Sequence, residues 1–206
     1  MSSDTNPRRC EGEKPLQAYT LNEARYYLVV TPCGQCLKGP WEVDAVESDQ
    51  TPGLLSIESH CGNCRARRLF AFSCRRPQPA DGPEALQINP TDQPSRIVDL
   101  GQWLSLFYML IESAASERDR RTARRTGYRA AMCLAEALKF YADDDEPPAS
   151  AFFYDRTAEA RRRHPESFSR QRLRDMQAKL PDSGAMARRI RRDERRKGHP
   201  WWRFWR

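Results

Sequence analysis

Two C-x2-C pairs, Cys33/Cys36 and Cys61/Cys64, stand 24 residues apart in this 206-residue chain. No other feature restricts its folding as strongly. Thiols three positions apart face one point when the backbone turns tightly between them, and Gly34 and Gly62 ease such a turn. The flanking segments read as strands. Tyr26-Tyr27-Leu28-Val29-Val30 is aromatic and β-branched and runs into Pro32-Cys33. Trp41–Glu47 alternates apolar and polar residues with period two, and Ser48–Gly53 is turn material. Leu55, Ile57 and Ser59 alternate with Ser56, Glu58 and His60 up to Cys61. Leu69, Ala71 and Ser73 alternate with Phe70 and Phe72 down to Cys74. The expected order is strand, knuckle, strand, turn, strand, knuckle, strand.

Four thiolates complete a tetrahedral shell around Zn²⁺ and leave no position for a substrate, so the pairs predict one structural Zn²⁺ held by Cys33, Cys36, Cys61 and Cys64. The pattern resembles the zinc-ribbon class over residues 26–74, a resemblance that implies an antiparallel β-ribbon and a metal but no biochemical role. The spacing exceeds the usual 15–20 residues, and the Ser48–Gly53 turn with long strands absorbs the excess. A rubredoxin-like iron site uses the same four cysteines; the absence of glycine after each second cysteine, where Leu37 and Arg65 stand, weighs against it. Cys33-Gly34-Gln35-Cys36 alone also matches a thioredoxin-like redox pair, although the second pair and the lack of a βαβ pattern do not. Four unrelated thiols are the remaining reading. His60 is either a substitute ligand or a plain strand residue. Cys10, Cys74 and Cys133 are spare, the last a small apolar residue in an alanine-rich helix.

Residues 75–94 hold five prolines and no sustained period, which predicts a linker over 77–94. The period then changes. Ile97, Leu100, Leu104, Phe107, Ile111 and Ala114 form a helical stripe widened by Trp103, Leu106 and Leu110, with Ser95 as N-cap. A second helix is expected over Arg120–Tyr141, with Tyr128, Ala131, Ala135 and Leu138 facing the first across a hairpin, and Arg120, Arg121, Arg124, Arg125 and Arg129 on a solvated outer face. Shorter helices are expected over Ser150–Arg163 and Glu166–Lys179, divided by His164-Pro165. The chain thus reads as α+β: a leader (1–18), a zinc ribbon (19–76), the linker (77–94), a helical domain (95–181) packed on or linked to the ribbon, and a basic aromatic tail (182–206).

Charge sharpens the last boundary. Residues 182–206 contribute +6 of the formal +7, so the basic balance belongs to the tail. Ala185–Lys197 reads as a basic helix ending at Gly198, ahead of three tryptophans in the last six residues. Arg188, Arg189, Arg191, Arg192, Arg195, Arg196, Lys197, Trp201, Trp202 and Trp205 are the candidate binding residues. The tail is expected to dock rather than join the fold, on RNA, DNA or a protein, with a lipid surface ranked last and self-docking as the plain alternative. Arg65, Arg67, Arg68, Arg75 and Arg76, with Phe70 and Phe72 for stacking, offer a second nucleic-acid edge; the preferred reading is a solvated strand whose aromatics pack inward.

No glycine-rich phosphate loop, G-x-S-x-G or H-E-x-x-H occurs, and the three histidines lie in different segments. Enzymatic activity therefore has no motif to support it. The longest uncharged apolar run, Leu100–Ile111, is too short for a bilayer crossing of about 20 residues. Unpaired thiols and a polar start predict a cytoplasmic location. The leading expectation is a non-catalytic zinc-binding adaptor that contacts nucleic acid or a nucleic-acid machine. The alternative is a protein-interaction scaffold with a purely structural zinc.

Overall fold

The computed structural model describes residues 14–48, 51–74 and 87–197. The fold is α+β, with the strands in the N-terminal half and most helices in the C-terminal half. The chain divides into two compact units: residues 1–78 with 88–90 and 95–98, and 79–87 with 91–94 and 99–206.

The N-terminal unit holds a mixed four-stranded sheet and one helix. β1 (Leu16–Ala18), β2 (Trp41–Ser48), β3 (Leu54–Cys61) and β4 (Arg67–Cys74) lie in the order β1-β4-β3-β2. The last three strands form the expected antiparallel meander, with Ile57 opposite Phe70 and Trp41 opposite Cys61. Gly53 lies in the β2–β3 turn at φ 83°, with the Cys74 carbonyl 2.8 Å from where a Cβ would sit, so the turn requires glycine there. β1 pairs with β4 in parallel, Leu16 opposite Phe72, so the sheet is not wholly antiparallel and the leader joins the fold by residue 16.

The expected strand over Tyr26–Val30 is instead the second half of α1 (Leu21–Val30). Its β-branched and aromatic residues favour a strand, but the five helical residues before it set the period. Leu21, Ala24 and Leu28 fall on one helical face, and Ala24 and Leu28 are fully buried. Thr20 caps the start, its Oγ1 accepting from Glu23 N at 3.3 Å, and the Glu23 carboxylate accepts from Tyr19 N. Tertiary packing completes the override: the Tyr27 ring meets Phe70 and Phe72 edge-on at 6.4 and 5.8 Å.

Residues 77–86 of the expected linker lie outside the described residues. At 87–94 the chain is not free: Ile88 and Asn89 are buried, and Thr20 Oγ1 donates to the Ile88 carbonyl at 2.5 Å. Residues 95–98 also belong to the N-terminal unit, which moves the start of the helical unit from 95 to Asp99.

The helical unit holds α2 (Leu100–Ser116), α3 (Arg120–Leu138), α4 (Asp155–Arg163), α5 (Arg170–Lys179) and α6 (Ser183–Lys197). Asp99, not Ser95, caps α2, sharing a capping box with Gln102; the Ser95 hydroxyl closes a local turn by accepting from Ile97 N and Val98 N. The short 117–119 connection folds α2 back along α3 as a hairpin. Leu100, Leu104, Phe107 and Ala131 are buried as expected, while Ile111, Ala135 and Leu138 are half-buried. Ala130, Cys133, Leu134 and Ala137 are buried too, because α3 packs on α5 and α6 as well as on α2. Asp145 links the acidic loop to α5, its side chain accepting from Gln171 N at 2.7 Å.

Candidate metal centre

The two C-x2-C segments share one local structure. In each, the first cysteine's N–H donates to the carbonyl five residues on, Cys33 to Lys38 and Cys61 to Ala66. The residue after the second cysteine donates back to the first cysteine's carbonyl, Leu37 to Cys33 at 2.8 Å and Arg65 to Cys61 at 2.9 Å. Closing that turn puts Leu37 at φ 57° and Arg65 at φ 62°, in the left-handed region where an L-residue costs about 1–2 kcal/mol. Both knuckles adopt the left-handed position without the glycine whose absence weighed against a rubredoxin-like site. Gly34 has open space around its missing Cβ, whereas Glu42 Oε1 lies 2.7 Å from where a Cβ on Gly62 would sit. Of the two, only Gly62 is closely approached, and by the end of a flexible side chain that can move aside.

The knuckles are brought together by β2 and β3. Trp41 pairs with Cys61, and Gly62 N donates to the Pro40 carbonyl at 2.9 Å, which seats the second knuckle against the exit of the first. The four sulfurs then lie within 4.8 Å of one another. Cys33 Sγ is 3.7 Å from Cys64 Sγ, and Cys36 Sγ is 3.6 Å from Cys61 Sγ, so each close pair joins one knuckle to the other. Cys33 and Cys61 are buried, Cys36 is half-buried and Cys64 is exposed.

Their protonation chemistry favours a cation at the centre. The Cys36 amide and the hydrogen-bonded Gln35 N–H lower the Cys33 thiol, and the Lys38 amide brings Cys36 down to about 6. The Ala66 amide also pulls on Cys64, but partial desolvation of its sulfur and the facing Cys36, Cys33 and Cys61 sulfurs outweigh it and push that thiol up to about 12. Several thiolates crowded together resist full ionisation until a positive ion sits among them. An all-sulfur donor set of this size is compatible with one metal ion.

His60 is not a ligand. Its Nδ1 lies 2.7 Å from Asp44 Oδ1, and its Nε2 lies 2.6 Å from Arg65 Nη1 and 3.1 Å from Glu42 Oε2. A β-bulge between Val43 and Ala45 inserts Asp44 into that arrangement. Cys74 is buried at the end of β4, and burial followed by the Glu23 charge pushes its thiol up to about 11, which keeps it inert. Cys10 lies outside the described residues.

The basic candidates divide. Phe70 and Phe72 are buried against Tyr27 and Trp41, so neither is available to stack on a base. The Arg68 guanidinium lies over the Phe70 ring. Residues 183–197 are not a detached tail. Asp182 caps α6 by accepting from Ala185 N, and Met186 and Ile190 are buried with Tyr128 and Ala131 of α3. Arg121 and Arg124, expected on a solvated face, instead reach α6: Arg121 donates to the Asp193 carbonyl at 3.2 Å and Arg124 pairs with the Asp193 carboxylate. With Met186 and Ile190 inward, Arg188, Arg189, Arg191 and Arg192 are exposed. The side chains of Arg195, Arg196 and Lys197, and all of Trp201, Trp202 and Trp205, lie outside the described residues. Among the described residues no helix is long and apolar enough to cross a membrane.

Comparison with family models, with curated proteins and with solved structures finds no match to this chain.

Proposed function

We propose that the chain is a zinc-stabilised, non-catalytic adaptor of the zinc-ribbon type that contacts nucleic acid through the outer face of α6. The observation that carries the reading is the division of that helix. Its apolar side is buried on α3, and Arg188, Arg189, Arg191 and Arg192 project from the opposite side. A basic helix already ordered on the fold gives up little conformational freedom on binding and presents charges at the i, i+3 and i+4 spacings that follow a phosphate backbone. For the metal, a tetrahedral zinc tetrathiolate with bonds of about 2.3 Å has sulfur–sulfur edges of about 3.8 Å. The two cross-knuckle separations of 3.7 and 3.6 Å support that ion. Zinc here closes its shell with protein sulfur and holds the knuckles rather than acting on a substrate.

Elemental analysis of the purified protein is expected to return one zinc per chain; iron in its place would be recognised by its visible absorbance. Fluorescence anisotropy with labelled RNA and DNA oligonucleotides tests the second half. Binding is expected to weaken steeply with salt, by close to one logarithmic unit per phosphate neutralised for each tenfold rise. The Arg188→Ala/Arg189→Ala/Arg191→Ala/Arg192→Ala variant should lower both affinity and salt slope while keeping its helical circular dichroism. A variant that binds as tightly as the parent would refute the assignment.

A further inference from the structure

We propose that Leu37 is a docking prong: an aliphatic side chain held out beside the cysteine cluster to enter an apolar pocket of a partner protein whose rim carries carboxylates. Leu37 and Arg65 occupy equivalent positions in two knuckles with the same hydrogen-bond pattern, and both adopt a left-handed backbone that glycine adopts without strain. Arg65 has a local reason to be there. Its guanidinium reaches His60 Nε2 at 2.6 Å and lies 4.0 Å from Glu42 Oε2, so the side chain serves the fold. Leu37 has no such reason, because its side chain is 80% exposed. Strain and apolar exposure fall on one residue in a position where glycine would remove both. A side chain kept under those conditions belongs to a contact outside the unit.

The surroundings indicate the partner. The knuckle segments 33–38 and 61–67 contain Lys38, Arg65 and Arg67 and no carboxylate. Lys38 and Arg67 are exposed and complement an acidic rim, whereas Arg65 is already matched by Glu42. Neither segment contains an aromatic residue, which disfavours a nucleic-acid surface that asks for stacking rings. An exposed aliphatic side chain next to Lys38 is matched by an apolar pocket with an acidic rim.

The test uses the full-length, metal-loaded protein in two arms. In thermal unfolding, Leu37→Gly is expected to melt at the parent's temperature or above it; a lower melting temperature would show that the leucine serves the fold and would overturn the proposal. In cells, the photo-crosslinker p-benzoyl-phenylalanine replaces Leu37, with the same probe replacing the exposed Glu112 as control. A discrete, nuclease-resistant protein adduct is expected from position 37 alone. The protein so identified, once purified, should bind the parent chain and the Gln35→Ala variant equally, and Leu37→Gly at least tenfold more weakly. Absence of an adduct, equal adducts from both positions, a nuclease-sensitive adduct, or undiminished binding by Leu37→Gly would each overturn it.

Discussion

Asp99 is fully buried, and its two oxygens accept three hydrogen bonds: Oδ1 from Gln102 N at 2.8 Å, Oδ2 from Phe153 N at 3.0 Å and from the Thr157 hydroxyl at 2.5 Å. One carboxylate thus caps α2 and ties it to the segment that opens α4. Asp99→Ala removes a cap worth about 1 kcal/mol and strands buried donors at about 1–3 kcal/mol each, so urea unfolding should show a loss of at least about 2 kcal/mol. Two residues on, a Cβ on Gly101 would meet the Thr157 side chain at 2.8 Å. Gly101→Ala should therefore destabilise by about 1–3 kcal/mol despite the better helix propensity of alanine. Arg65→Gly should be nearly neutral in the same assay, since relief of about 1–2 kcal/mol of left-handed strain opposes loss of the His60 contact. These residues also mark what a sequence reveals. The cysteine cluster is legible because C-x2-C spacing is local and chemical. Asp99 as cap, and Leu37 and Arg65 as left-handed residues, are not, because the competing signals point elsewhere: Ser95 is an equally good cap, and neither left-handed position carries glycine.

Among elements, α6 shows how an amphipathic pattern can be read correctly and its consequence missed. The spacing of Met186 and Ile190 gives the helix and its inner side, yet nothing local says which surface that side meets. The meeting surface on α3, Tyr128 and Ala131, lies more than 50 residues away in sequence, and a concentrated positive charge made the segment resemble a free tail. The α1 segment fails differently, since a window beginning at Tyr26 omits Leu21 and Ala24, the residues that set its helical period. Because α6 is packed, Ile190→Ala should cost roughly 2–4 kcal/mol, in line with truncation of a residue left only 2% exposed. Arg189→Ala, on the exposed side of the same helix, should change stability by less than about 0.5 kcal/mol. Comparing the two variants by thermal unfolding separates a docked helix from a detached one, for which neither substitution would matter.

At the scale of the whole molecule, each unit has its own buried core, and only one contains a metal cluster among the described residues. In the N-terminal unit the core is small: Ile57, Phe70 and Phe72 of the sheet and Ala24 and Leu28 of α1 are buried, with Tyr27 of α1 against Phe72. A core of that size in fewer than about 90 residues leans on cross-links for its stability. Here the cluster ties the knuckle between β3 and β4 to the knuckle that follows α1. In the helical unit Trp103, Leu100, Leu106, Leu134 and Leu173 are all nearly or fully buried, with no cysteine pair involved. Chelation should therefore act on one unit and spare the other. On titrating the full-length protein with a strong zinc chelator, the fluorescence of Trp41, buried beside Phe70 at 5.3 Å, should shift to the red as the sheet unit loosens. The helical circular dichroism carried by α2–α6 should persist, and a subsequent thermal melt should still show a cooperative transition. Acidification should have the same selective effect, because protons compete with the metal for the thiolates and release it as pH falls. Cys33→Ser should reproduce the chelated state without a chelator, by removing one of four sulfurs. Loss of both the tryptophan signal and the helical signal in one transition would show that the metal stabilises the whole chain as a single cooperative body. A protein unaffected in either signal would show that the cysteine cluster needs no ion to hold its place.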